Sequence, residues 1–156
     1  MERVVVTGLG AVSCVGISVP DFWDSLIHGR SGIRRISSFD PSPYKTQIAG
    51  EIPGFSFDPR EAKRLARYSQ LAIAAADEAW HQCGLAGGGF DNTRAGVSVG
   101  SGIAGLPFLM QQYERFLRGN PGRVHPLTIP IIIPNMGAAN IGMRYTLEGP
   151  NLCTAM

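Results

Sequence analysis

The chain has 156 residues, 44% of them hydrophobic and 17% charged, which suits one packed domain and excludes a disordered segment. A formal net charge of +2 provides no global field for nucleic acid, and 20 Gly with 11 Pro in no period exclude a collagen-like repeat while predicting many tight turns. The longest apolar run, Leu127 to Ile133, is interrupted by Pro130 and too short to span a bilayer.

The β-branched run Arg3-Val4-Val5-Val6-Thr7 predicts a strand buried on both faces, directly at the start and with no signal peptide before it. Thr7-Gly8-Leu9-Gly10 ends it. Two readings stand there, a dinucleotide fingerprint or a plain glycine turn. The fingerprint lacks its third glycine, since Ser13 holds that place, and Gly16 interrupts the helix that should follow. Ser18-Val19-Pro20-Asp21 predicts a helix start, with Ser18 as cap, Phe22, Trp23, Leu26 and Ile27 as the apolar face, and Gly29 as the stop. Ser31 to Ser56 is rich in Gly, Pro, Ser and isolated aromatics and reads as an ordered excursion, with a short strand within Thr46 to Ile52.

Asp58-Pro59 opens the longest helix candidate, running to about Gln82. Its alanine-rich second half, Leu71 to Ala79, suits close approach of a neighbouring backbone. Arg60, Lys63, Arg64 and Arg67 fall at helical spacing on one face of its first half. That face is either a solvated charged surface or a docking site for an acidic partner. After the Gly87-Gly88-Gly89 turn, Arg94 to Val99 predicts a second buried strand, ending in Gly100-Ser101-Gly102-Ile103-Ala104-Gly105. This turn has no Lys-Ser/Thr and is not a Walker loop. Leu106 to Leu117 predicts a helix, Asn120 to Arg123 a turn, and Asn135 to Leu147 a helix dense in small residues. Leu127 to Pro134 is too apolar to lie exposed. Gly149-Pro150-Asn151-Leu152-Cys153-Thr154-Ala155 then reads as a strand rising to an active-site turn. The whole predicts an α/β layout around a central sheet.

Cys14, Cys83 and Cys153 are an odd number without metal-ligand spacing, which predicts a reduced, cytoplasmic setting. His28, His81 and His125 lie far apart without a partner motif, and no pattern predicts a metal site. Cys153 is the one thiol in a place suited to a nucleophile, yet no helix follows it whose N-terminus would lower its pKa.

In order and spacing these segments resemble the elongating β-ketoacyl-acyl carrier protein synthases of the synthase II type, over essentially the whole chain. The likeness rests on Arg3 to Gly10, Phe22-Trp23, Ser31-Gly32-Ile33, Phe39-Asp40, Ile48-Ala49-Gly50, Gly100 to Gly105, Ile133-Pro134-Asn135-Met136 and Gly149-Pro150-Asn151. It implies a thiolase-like αβαβα fold, of which residues 1–156 form an incomplete first αβα half, ending before the nucleophile turn. It implies a decarboxylating Claisen condensation between an acyl thioester and malonyl-acyl carrier protein, in fatty acid biosynthesis, with no metal or organic redox cofactor. The alternatives are a carrier-docking or scaffold module without catalysis, and a polyketide-type ketosynthase.

By this resemblance Cys153 matches a variable position of the approach strand, the nucleophile falls just past Met156, and Met156 replaces a small residue. None of the three histidines matches the family's catalytic pair. Ile103 matches the acyl-pocket gate. Ile133, Pro134, Asn135 and Met136 match a dimer-interface segment. Arg60, Lys63, Arg64 and Arg123 match the basic surface that receives acyl carrier protein, although Gly122 replaces a basic residue of some members. The fragment alone is expected to be inactive, and to self-associate through an exposed Ile131 to Ile133 and an open sheet edge.

Overall fold

A computed structural model describes residues 3–52, 54–119 and 121–155. Met156 and its replacement of a small residue lie outside them, as does Asn120 of the predicted turn. The elements are α1 (Val19–Ile27), β1 (Arg34–Arg35), β2 (Ile48–Ala49), α2 (Pro59–Ala62), α3 (Arg67–Cys83), β3 (Val97–Ser101), α4 (Leu106–Leu117), α5 (Thr128–Ile132), α6 (Met136–Tyr145) and β4 (Asn151–Ala155). They fall into two compact units, residues 1–56 with 74–86, and residues 57–73 with 87–156.

The first unit is held by side chains that bond backbone. Ser18 caps α1, its hydroxyl accepting from the Asp21 amide at 3.3 Å and donating to the Asp21 carboxylate at 2.8 Å. Glu78 on α3 accepts from the amides of Ala11 and Val19, at 2.9 and 2.7 Å, and so joins the loop and the helix start to one carboxylate. Gln82 accepts from the Leu9 amide at 2.5 Å. Gly8 and Gly10 are required here: a β-carbon would stand 2.2 Å from the Ala79 carbonyl oxygen and 1.8 Å from that of Ala75. The Gly8-Leu9-Gly10 segment therefore packs closely against the alanine face of α3, and the next helix, α1, starts only at Val19.

Arg3 to Thr7 does not form the predicted strand. It carries no ladder partner among the described residues, and Val4 is 94% exposed. A β-branched run favours extended backbone, but a strand exists only where a neighbour takes its amides and carbonyls. The 31–56 excursion is ordered as expected over its described residues, 31–52 and 54–56. β1 and β2 pair antiparallel, and Glu51 accepts from the Ser37 hydroxyl at 2.6 Å, the Ser37 amide at 2.9 Å and the Ser38 amide at 3.0 Å. These donors, the Ser37 hydroxyl foremost, lower the Glu51 carboxyl from 4.5 to about 2.

The second unit holds the apolar core. Ala66, Ile73, Ala104, Ile131, Ala138 and Ile141 are its buried hydrophobic side chains. β3 and β4 run parallel in register from Val97 opposite Asn151 to Ser101 opposite Ala155, so both strands end on the same side. α6 packs on both strands. Its small residues serve this packing: Gly137 lies against the Tyr68 ring, Gly142 lies beside the Asn151 amide, and the Ala138 carbonyl accepts from Asn151 Nδ2 at 3.0 Å. Ile131 is 2% exposed and Ile132 and Ile133 are half-buried, so the predicted apolar exposure is not there. It lies instead along α4, where Leu106, Leu109, Met110, Tyr113, Phe116 and Leu117 are exposed at helical spacing.

Candidate functional site

The predicted helix over 58–82 is two helices. α2 ends at Ala62, and the turn Lys63 to Ala66 intervenes before α3. Asp58 starts α2, its carboxylate accepting from the Arg60 and Glu61 amides at 2.9 Å each. The Arg64 amide then bonds the Glu61 carbonyl and the Leu65 amide bonds that of Ala62, a tighter winding than an α-helix. Gln70 on α3 reaches back with Nε2 to the Leu65 carbonyl at 3.0 Å. Ala66, 3% exposed, anchors the turn in the core. Arg60, Lys63, Arg64 and Arg67 therefore do not share one helical face. They are exposed around a turn, and among the described residues Arg60, Lys63 and Arg64 form no ion pair.

A cavity of about 480 Å³ opens beside this turn. Lys63 and Arg67 stand on its rim, and Tyr68, Leu71, Ile103 and Phe108 are among its walls. Ile103 sits in the turn from β3 to α4 and is exposed. The next residue, Ala104, takes φ of 46°, a left-handed conformation costing about 1–2 kcal/mol for a residue with a β-carbon. Ser101 offsets this by accepting from the Ala104 amide at 3.0 Å, and Ala104 itself is buried. Gly105 bonds the Ile132 carbonyl, and its missing β-carbon lets α5 approach.

The segment Ile133 to Met136 does not line the cavity. Tyr68, which does, donates its hydroxyl to the Ile133 carbonyl at 2.7 Å, with the Pro134 carbonyl at 3.3 Å. One side chain thus couples the cavity wall to the connection between α5 and α6. Asn135 stands exposed at the N-cap of α6 and makes no side-chain cap bond. Arg123 closes a 3-10 turn at 121–123, exposed and away from the cavity lining.

Cys153 is half-buried in the middle of β4, opposite Val99. Among the described residues no hydrogen bond or ion pair joins it to a histidine. His125, in the same unit, packs edge-on against Phe108 with its ring 5.8 Å away, and its amide donates to the buried Gln112 side chain at 2.9 Å. His28 binds Asp24. Cys14 fills the space against Gly32 and Gly50, and Cys83 donates to the Trp80 carbonyl at 3.2 Å.

Tyr68, Gln70, Gln112 and Glu78 are positioning residues that the pattern did not single out. Each occupies an unremarkable place on a helix, and its role depends on which carbonyl or amide the fold brings opposite it. The one available signal was a polar residue among small or apolar neighbours.

Parallel strands that end together, with a glycine-rich turn and a cavity beyond one of them, make an α/β arrangement, and its likeness to solved ketosynthases makes the fold thiolase-like. Two solved structures share it. A beta-ketoacyl synthase from Burkholderia phymatum STM815 superposes with a TM-score of 0.79 at 27% identity, over 98% of this chain and 39% of that one. The ishigamide ketosynthase/chain length factor gives a TM-score of 0.79 at 27% identity, over 97% and 39%.

Residues 1–155 match the family described as Beta-ketoacyl synthase, N-terminal domain, and the chain belongs to that family of condensing acyltransferases. It is 38% identical over 155 residues to the 3-oxoacyl-[acyl-carrier-protein] synthase 2 of Coxiella burnetii, covering 97% of this chain. It spans 37% of that relative's length. No described helix is long and apolar enough to cross a membrane.

Proposed function

We propose that residues 1–156 are the N-terminal part of a β-ketoacyl-acyl carrier protein synthase of fatty acid biosynthesis. The whole enzyme would condense an acyl thioester with malonyl-acyl carrier protein, with loss of carbon dioxide. The observation that carries this reading is that Lys63 of the basic turn and Ile103 of the Gly-Ser-Gly-Ile turn line one cavity. A carrier protein docked on Arg60, Lys63 and Arg64 would thus deliver its acyl chain beside the residue proposed to gate the acyl pocket. Arg123 would add a second, separate contact.

In this reading Cys153 is a strand residue, and the catalytic cysteine belongs to the continuation of β4 in the whole enzyme. Two copies would pair through Ile133 to Met136 in the cytoplasm, and the exposed apolar stripe of α4 supports self-association. Carrier docking without catalysis is a second reading, favoured by the unpaired Arg60, Lys63 and Arg64 around the turn beside the cavity.

Two assays test this. The purified chain should accept no acyl group from acyl-acyl carrier protein. Acylation that Cys153→Ala abolishes would reverse the assignment of that thiol. Binding of acyl carrier protein should weaken as salt rises. It should weaken by about tenfold in Arg64→Glu, where the new carboxylate meets an acidic helix. A well-folded chain that does not bind would reject the docking surface.

A further inference from the structure

Leu65 is a ridge between two hollows. It lines the cavity beside Ile103, and it also lines a second space of about 290 Å³ that reaches α6. Leu65 and Ile73 form the apolar floor of the second hollow, and Met143, Glu61, Arg64, Asn140 and Arg144 complete its lining. Ile73 is buried, whereas Met143 is 66% exposed at the mouth. Arg144 Nη1 lies 3.1 Å from Glu61 Oε2, and both side chains remain partly exposed. Apolar floor, two cations and one anion therefore converge next to the basic turn.

We propose that this hollow is a further contact of the docking face. It takes one apolar side chain from the acidic helix of the carrier protein, while Arg144 exchanges Glu61 for a carboxylate of that helix. The inference rests on the carrier-docking reading and adds α6 to the surface.

Three features favour an acidic amphipathic helix as the occupant. The rim carries a net positive charge, Arg64 included, and adjoins the unpaired Arg60 and Lys63. A helix presents carboxylates one turn to either side of an apolar residue, which suits Arg64 and Arg144 flanking an apolar floor. Met143, unbranched and exposed, can adapt to the side chain it receives. A partly exposed ion pair such as Glu61–Arg144 contributes little by itself.

The test is titration of the 156-residue chain with acyl carrier protein at several salt concentrations. Glu61→Gln should tighten binding by about threefold, and Arg144→Gln should weaken it by about threefold with a flatter salt dependence. Met143→Ser should weaken binding without changing the salt dependence. Hydrogen exchange across α2 and α6 reports whether each variant keeps its fold.

If Arg64→Glu weakens binding but Arg144→Gln and Met143→Ser do not, this extension is overturned and the docking reading stands. If Glu61→Gln weakens binding, the ion pair is only a tether between α2 and α6, and the extension again fails. If the unaltered chain does not bind, the docking reading falls and takes the extension with it.

Discussion

The two units achieve order by different means. In the first, backbone amides are collected by side chains: Glu78 takes Ala11 and Val19, Gln82 takes Leu9, and Glu51 takes Ser37 and Ser38. In the second, buried Ile73, Ile131, Ala138 and Ile141 pack around a parallel strand pair. Hydrogen-bonded order depends on direction and on protonation, whereas apolar order depends on volume. The basic turn and the Ile103 turn both belong to the apolar unit, where close packing holds their geometry.

This contrast can be broken experimentally, with the largest effect expected in the apolar unit. Ile131→Ala should destabilise the second unit by about 2–5 kcal/mol, since it leaves a cavity at a fully packed site. Segment-resolved hydrogen exchange should show α5, α6 and β3 loosening while residues 11–19 keep their protection. Equal loosening of both units would show one cooperative block and end the distinction.

Glu78→Ala comes next. It removes a charged acceptor from two amides and should cost about 2–3 kcal/mol, with exchange rising at Ala11 and Val19. Unchanged exchange there would mean that water replaces the carboxylate without loss.

The smallest effect belongs to Glu51 and should be confined to acid. Its folded pKa lies near 2, below the ordinary 4.5, so its contribution is fully present above about 4.5 and is lost as pH falls through about 2. Glu51→Gln should therefore lose order in residues 34–51 at neutral pH and flatten the acid transition of that segment. A variant with the same acid profile as the parent would remove Glu51 from the account.

Local signals determined the elements that depend only on neighbours in sequence. Leu106 to Leu117 forms α4 over the predicted residues, Ser18 caps α1, and the small residues after Asn135 build α6. The alanine face of α3 was legible because closely approaching backbone needs small side chains on both partners. The order of motifs was enough to resemble the family, which a match over residues 1–155 then established.

Tertiary structure decided what depends on a distant partner. Whether Arg3 to Thr7 becomes a strand rests on a ladder neighbour, which propensity cannot provide. Where the long helix breaks depends on Gln70 reaching Leu65 and on Ala66 entering the core, and helical periodicity runs through that break unmarked. Tyr68 joins the cavity wall to Ile133 and Pro134 across 65 and 66 residues, a bond without a spacing signature. Sequence pattern records which faces are apolar. Only the folded chain selects which polar group each face brings into reach, because that choice depends on the packing of every element around it.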